Sequence, residues 1–152
     1  MENACMSSQR IDLLALAPEA YEAMRAIEAY IRKSGLNRRL YELIKIRASQ
    51  INGCIFCLHM HTREARALGE TEQRIYGLSA WQEAPYYTEK ERAALALTEA
   101  ITLVAESHVP DEVFENARQH FDEKELAALI IGITNINGWN RWMVASRRPP
   151  ED

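Results

Sequence analysis

Two cysteines three residues apart, Cys54 and Cys57, open the run Cys54-Ile55-Phe56-Cys57-Leu58-His59-Met60-His61. Sulfurs at that spacing in a reducing compartment point to redox chemistry or to a metal. A thiol attacks a peroxide or a disulfide only as the thiolate, and a free cysteine with a pKa of about 8.5 is mostly protonated at neutral pH. The chemistry therefore needs a proton acceptor and a source of positive potential. The start of a helix supplies free N–H donors and the positive end of the peptide dipole beside both sulfurs. His61, four residues after Cys57, can take the proton. Once one sulfur is oxidised, the other can attack it and close a disulfide, which protects against over-oxidation.

These residues share a helix face. At 100° per residue, Cys54, Cys57 and His61 fall within about 60° of one another. Leu58, Ala65 and Leu68 continue the stripe, so this face meets the core, and His59 points away from it. Asn52-Gly53 breaks the preceding helix, so the two helices should pack antiparallel across a very short turn. Glu42 lies about ten residues before that turn and His61 about eight after it, which puts their axial levels within about 3 Å at 1.5 Å rise per residue. A carboxylate in line with an imidazole, in line with a thiol, is an arrangement that generates a thiolate. Glu42 would hold the ring in the right tautomer and receive charge in turn. Position alone leaves the order of the sulfurs open: the helix start favours Cys54 as the more acidic thiol, and the neighbouring His61 favours Cys57.

The elements that must position this group read as helices throughout. Glycine and proline are scarce, 6 and 5 in 152 residues, and apolar residues recur at three- and four-residue steps. Pro18 suits a first helical turn, followed by Tyr21, Met24, Ile27 and Ile31 until Ser34-Gly35. Asn37 can cap a second helix carrying Leu40, Leu43, Ile44, Ala48 and Ile51. The cysteine helix starts at about Cys54 and ends at Leu68-Gly69. A short helix is expected over Thr71 to Trp81. Thr88 with Glu91 forms a capping box before a segment, Ala93 to Val104, that is apolar on nearly every side and suits a bundle centre or a subunit contact. Pro110 starts another helix with Val113, Phe114 and Ala117 inward. Asp122 with Glu125 caps a last one through Leu126, Leu129, Ile130 and Ile133, which can continue through Gly138 to Trp142.

Composition narrows the function classes. With 47% hydrophobic and 26% charged residues, 152 positions suffice for one domain with a core, ordered over about 10–147, and not for two ordinary ones. A net charge of -4 offers no dominant basic surface, which argues against nucleic acid as a partner. No apolar run approaches the roughly 20 residues of a membrane span, and residues 1–10 lack a secretory pattern. Three cysteines do not make a disulfide scaffold. A cytoplasmic protein with no membrane partner is the expectation.

The spacing Glu42, Cys54, Cys57, His61 resembles the alkylhydroperoxidase D-like branch of the carboxymuconolactone decarboxylase family. The Trp81 loop, the Thr88 capping box with its Ala/Leu helix, and Asn137-Gly138-Trp139-Asn140-Arg141 look like that family too, so the resemblance covers roughly Pro18 to Ser146. It implies an all-α, single-domain helical bundle assembling into dimers, trimers or hexamers. It also implies a cofactor-free thiol peroxidase acting on organic hydroperoxides or hydrogen peroxide, with electrons from a thiol reductant such as a lipoylated protein. By that resemblance Cys57 would be the attacking sulfur, Cys54 the resolving one, and His61 with Glu42 the proton relay. One position departs: the best-studied branch has a His between the cysteines, where Phe56 stands here.

Blander readings compete. Buried cysteines are commonly small hydrophobes. A zinc site could take Cys54, Cys57, His61 and Glu42 or a partner residue, although closed sites usually gather two pairs from separate segments. Disulfide reduction and lactone decarboxylation are the remaining alternatives, the latter belonging to a branch that looks to lack the cysteine pair. Cys5 reads as incidental, and His108 and His120 as surface or helix-end residues. Phe56, Met60 and Ala67 form a second apolar face, and Arg63, Glu64, Arg66 and Glu70 read as a solvated one.

Overall fold

The turn that the cysteines depend on is built by one glycine and one extended residue. In the computed structural model, which describes residues 8–152, α3 (Arg38–Asn52) ends at Gly53 with φ 65°, a left-handed conformation that glycine adopts without a Cβ penalty. The Gly53 N–H donates to the Gln50 carbonyl at 3.3 Å and the Cys54 N–H to the Ser49 carbonyl at 3.0 Å, so two of the last carbonyls of α3 are satisfied. Cys54 is then extended and α4 (Ile55–Ala67) begins. The reversal is two residues long, so α3 and α4 lie side by side as a helical hairpin.

Around that hairpin the other elements pack in order. Among the described residues, α1 is Leu13–Leu16, α2 Pro18–Lys33, α5 Glu72–Tyr76, α6 Glu89–Thr102, α7 Val104–Ser107, α8 Asp111–His120 and α9 Glu123–Ser146, with a 3-10 turn at Gly77–Ala80 and no strand. The all-α reading holds. The caps expected from sequence are formed: Asn37 accepts from the Leu40 N–H at 3.0 Å. Thr88 with Glu91, and Asp122 with Glu125, make complete capping boxes. The segment expected over Thr71 to Trp81 divides, with Thr71 as cap, α5 next and then the tighter turn.

α3 is the centre of the bundle, touching α4, α6 and α9. Leu43, Ile44, Ile46 and Ala48 are fully enclosed, as are Ala93, Ala94, Leu95 and Leu97 of α6. The apolar α6 is therefore a central helix of the bundle. α9 runs unbroken through Gly132 and Gly138, and Gly132 lets Tyr41 approach: a Cβ there would sit 2.8 Å from Tyr41 Cε2. Burial of these side chains supplies the main stabilisation, at roughly 25 cal/mol per Å² of apolar surface removed from water. No helix among the described residues is long and apolar enough to cross a membrane.

Candidate functional site

Cys54 occupies the N-cap position of α4, and its Sγ accepts from the Cys57 N–H at 3.3 Å, the role that Ser, Thr or Asp oxygens usually fill. Cys57 follows in the first turn. The two sulfurs are joined as a disulfide, with Cα atoms 5.4 Å apart. Both residues are buried against Ala48, Ile136 and Met143. Free backbone N–H groups of the first turn and the helix dipole give the pair a positive local potential.

One turn further on, His61 is buried and its Nδ1 lies 3.1 Å from Glu42 Oε2 and 3.2 Å from Glu64 Oε2. With Nδ1–H donating to these carboxylates, the neutral ring presents Nε2 as its acceptor. Glu42 is itself buried, and its other oxygen takes the Lys45 ammonium at 2.7 Å. Lys45 reaches Glu64 Oε2 at 4.0 Å and lies over the Tyr41 ring at 4.3 Å, so its charge is neutralised on one side and cushioned by a π face on the other. Two carboxylates thus face one ammonium and one imidazole.

The protonation of the ring follows from that balance. Burial alone would lower the His61 pKa, but hydrogen bonds to Glu42 and Glu64 outweigh it and hold the imidazole above its ordinary value. Glu64 is the counterpart: the hydrogen bond from His61 pulls its carboxyl down to about 2, against the effect of partial burial.

Of the four residues singled out from the sequence, the structure brings Cys54 to Cys57 and Glu42 to His61. Two members were missed. Lys45 and Glu64 complete the charge group; Glu64 keeps 44% of its side chain exposed, in line with the solvated face expected from sequence, while its Oε2 reaches His61. Glu70 does depart from that face: it is 1% exposed, bonded to Arg74 Nε at 2.8 Å and to the Thr71 N–H at 2.9 Å. His59 is half-buried and faces Arg63 at 3.4 Å, away from the sulfurs. Cys5 lies outside the described residues.

As a cation site, Glu42, His61 and Glu64 offer ligand atoms within 4.8 Å of one another. Lys45 already supplies the positive charge there, and sulfurs bonded to each other are not free thiolate ligands.

Comparison with known proteins places this geometry in context. The model of the carboxymuconolactone decarboxylase family matches residues 17–100. The uncharacterized protein YdfG of Bacillus subtilis (strain 168) is 49% identical over 138 residues, spanning 91% of this chain and 94% of that one. Among solved structures, ATU0492 from Agrobacterium tumefaciens superposes with a TM-score of 0.91 at 44% identity, covering 95% of this chain and 99% of that one. That protein is of unknown function and is provisionally described as the antioxidant defence protein AhpD. The debrominase Bmp8 shares the fold, with a TM-score of 0.78 at 20% identity over 91% of this chain and 74% of its own.

Proposed function

The chain belongs to the carboxymuconolactone decarboxylase family, and from that footing we propose that it is a thiol peroxidase cycling between a Cys54/Cys57 dithiol and its disulfide. The observation that carries the reading is the 3.1 Å contact from Glu42 of α3 to His61 of α4, the helix whose start bears both sulfurs. The AhpD-like relative ATU0492 supports a peroxidase-related role.

In the proposed cycle, His61 accepts the Cys57 proton, and the resulting imidazolium, steadied by Glu42 and Glu64, holds the thiolate. The thiolate attacks the outer peroxide oxygen: an S–O bond forms, the O–O bond breaks, sulfur is oxidised to the sulfenic acid and the peroxide is reduced to an alkoxide. His61 returns its proton to the alkoxide, giving the alcohol. Cys54 then attacks the sulfenic sulfur, and the S–O oxygen leaves as water with the Cys54 proton. A dithiol reductant, for which a lipoylated protein is the expectation, restores both thiols by exchange. Cys57 is assigned the first attack because the buried His61 lies one turn beyond it on the same face.

A homo-oligomer fits the same chain. Ile27 and Tyr30 on α2 and Ile131 on α9 are large apolar side chains left at least a third exposed.

Steady-state turnover of hydrogen peroxide, tert-butyl hydroperoxide and cumene hydroperoxide with dithiothreitol as reductant tests the proposal. Wild-type protein should reduce at least one of them, and Cys57→Ser should not. Equal turnover by Cys57→Ser would overturn it.

A further inference from the structure

Cys57 and His61 line a cavity of about 160 Å³ between α2, α4 and α9, with Lys45 of α3 beside them. That volume is close to the roughly 150 Å³ of an engineered protein cavity that holds benzene. Leu14, Tyr21, Phe56, Met60, Trp139 and Met143 line it, and Tyr21 meets Trp139 edge to face with centroids 5.5 Å apart. A wall of this kind takes an aryl or compact branched alkyl group and offers little to a small hydrated peroxide.

The lining also carries positive charge. Arg25 and Arg32 of α2 line the same cavity, seven positions apart and so on one face. The acids nearby are engaged elsewhere. Glu28, between them, accepts from Tyr41 Oη at 2.9 Å and from Asn135 Nδ2 at 2.7 Å. Glu64 is held by His61 and Lys45. Arg25 pairs with the exposed Glu22 at 3.7 Å and lies 5.7 Å from the centroid of the Tyr21 ring, which leaves its fork open to an anion, and Arg32 makes no ion pair among the described residues.

We propose that this cavity selects an anionic aryl hydroperoxide, with the O–O group at Cys57 and His61, the ring against Trp139 and Phe56, and a carboxylate at Arg25 and Arg32. The chemistry rests on the thiol-peroxidase reading and adds no step to it: the O–O bond is cleaved by Cys57, and the carboxylate is bound and unchanged. Guanidinium groups suit that end because each presents a planar fork to a carboxylate.

The test compares cumene hydroperoxide with its 4-carboxy derivative. In wild-type protein the carboxylated peroxide should show a KM lower by about five- to tenfold, the scale of one or two partly exposed charge-assisted contacts, and 0.5 M salt should shrink the gap. In Arg25→Gln/Arg32→Gln the ratio of the two KM values should fall to about one, whereas Arg118→Gln, on the exposed face of α8, should leave it as in wild type. Equal KM values in wild type, or a preference that persists in the double variant, would overturn the proposal. A second arm needs no turnover: calorimetric binding of the corresponding alcohol product, 4-(2-hydroxypropan-2-yl)benzoate, to the oxidised protein. Binding that depends on the two arginines, found together with no peroxide reduction, would retain the anion site and refute the peroxidase reading. No binding by wild-type protein would refute the site whatever the turnover.

Discussion

Glu42 and His61 stand 19 residues apart, on opposite limbs of the α3–α4 hairpin, and meet at 3.1 Å because a two-residue reversal at Gly53-Cys54 sets their levels side by side. The consequence is chemical. A buried imidazole with Nδ1 committed to carboxylates keeps one tautomer and gains proton affinity.

Removing the acceptor should slow thiol ionisation without abolishing the fold. His61→Ala is expected to reduce peroxide turnover by about 100-fold or more, the scale of a lost general acid–base group. Iodoacetamide labelling of the reduced protein at pH 6 to 7 should slow in parallel. Labelling at the wild-type rate would separate His61 from the thiol.

Glu42→Gln tests the carboxylate. With one of its two acidic partners gone, the His61 pKa should drop, so the alkaline limb of the pH–rate profile moves to lower pH. The same change strips Lys45 of its 2.7 Å partner, and breaking a buried ion pair typically costs about 3–5 kcal/mol. Glu42→Gln/Lys45→Met removes both charges and should recover most of that stability in urea unfolding, while the pH shift remains.

Stability should depend on pH in two directions. His61 is raised above its ordinary value of about 6.5, so its contribution is full below that pH and is lost as pH rises through the raised value. Glu64 is lowered to about 2, so its contribution is present above the ordinary carboxylate range and is lost as pH falls toward 2. Urea midpoints from pH 3 to pH 9 should therefore fall at both ends, and His61→Ala should flatten the alkaline decline.

Gly53 offers a structural test. At φ 65° an alanine is strained by about 1–2 kcal/mol, and nothing but conformation opposes it, since no atom lies within 4 Å of the added Cβ. Gly53→Ala should lower the urea midpoint accordingly and disturb the Cys54 cap, seen as a changed reduction potential of the pair.

What could be read from sequence followed the strength of local signals. Asn37, Thr88 and Asp122 announce helix starts through side chains that satisfy nearby N–H groups, and all three do so. Glu42, Cys54, Cys57 and His61 are tied by helical period and a short turn, both local. Lys45 was illegible because charged residues default to solvent, whereas it is buried against Glu42 three positions earlier; Glu64 stays partly exposed, and only the orientation of His61 brings the two together. Glu70 has local partners in Thr71 and Arg74, but its full burial and the approach of Arg39 from α3 needed the tertiary structure. α1 and α7 span four residues each, too short for any period to register.

The central claim is that Cys57 receives the peroxide oxygen and Cys54 resolves it. Reduced Cys54→Ser protein mixed with one equivalent of cumene hydroperoxide and trapped with dimedone should give, by peptide mass spectrometry, a single adduct on Cys57, while wild-type protein gives the Cys54–Cys57 disulfide and no adduct. Peroxide consumed with no adduct on Cys57, or consumed equally by Cys57→Ser, would contradict the account.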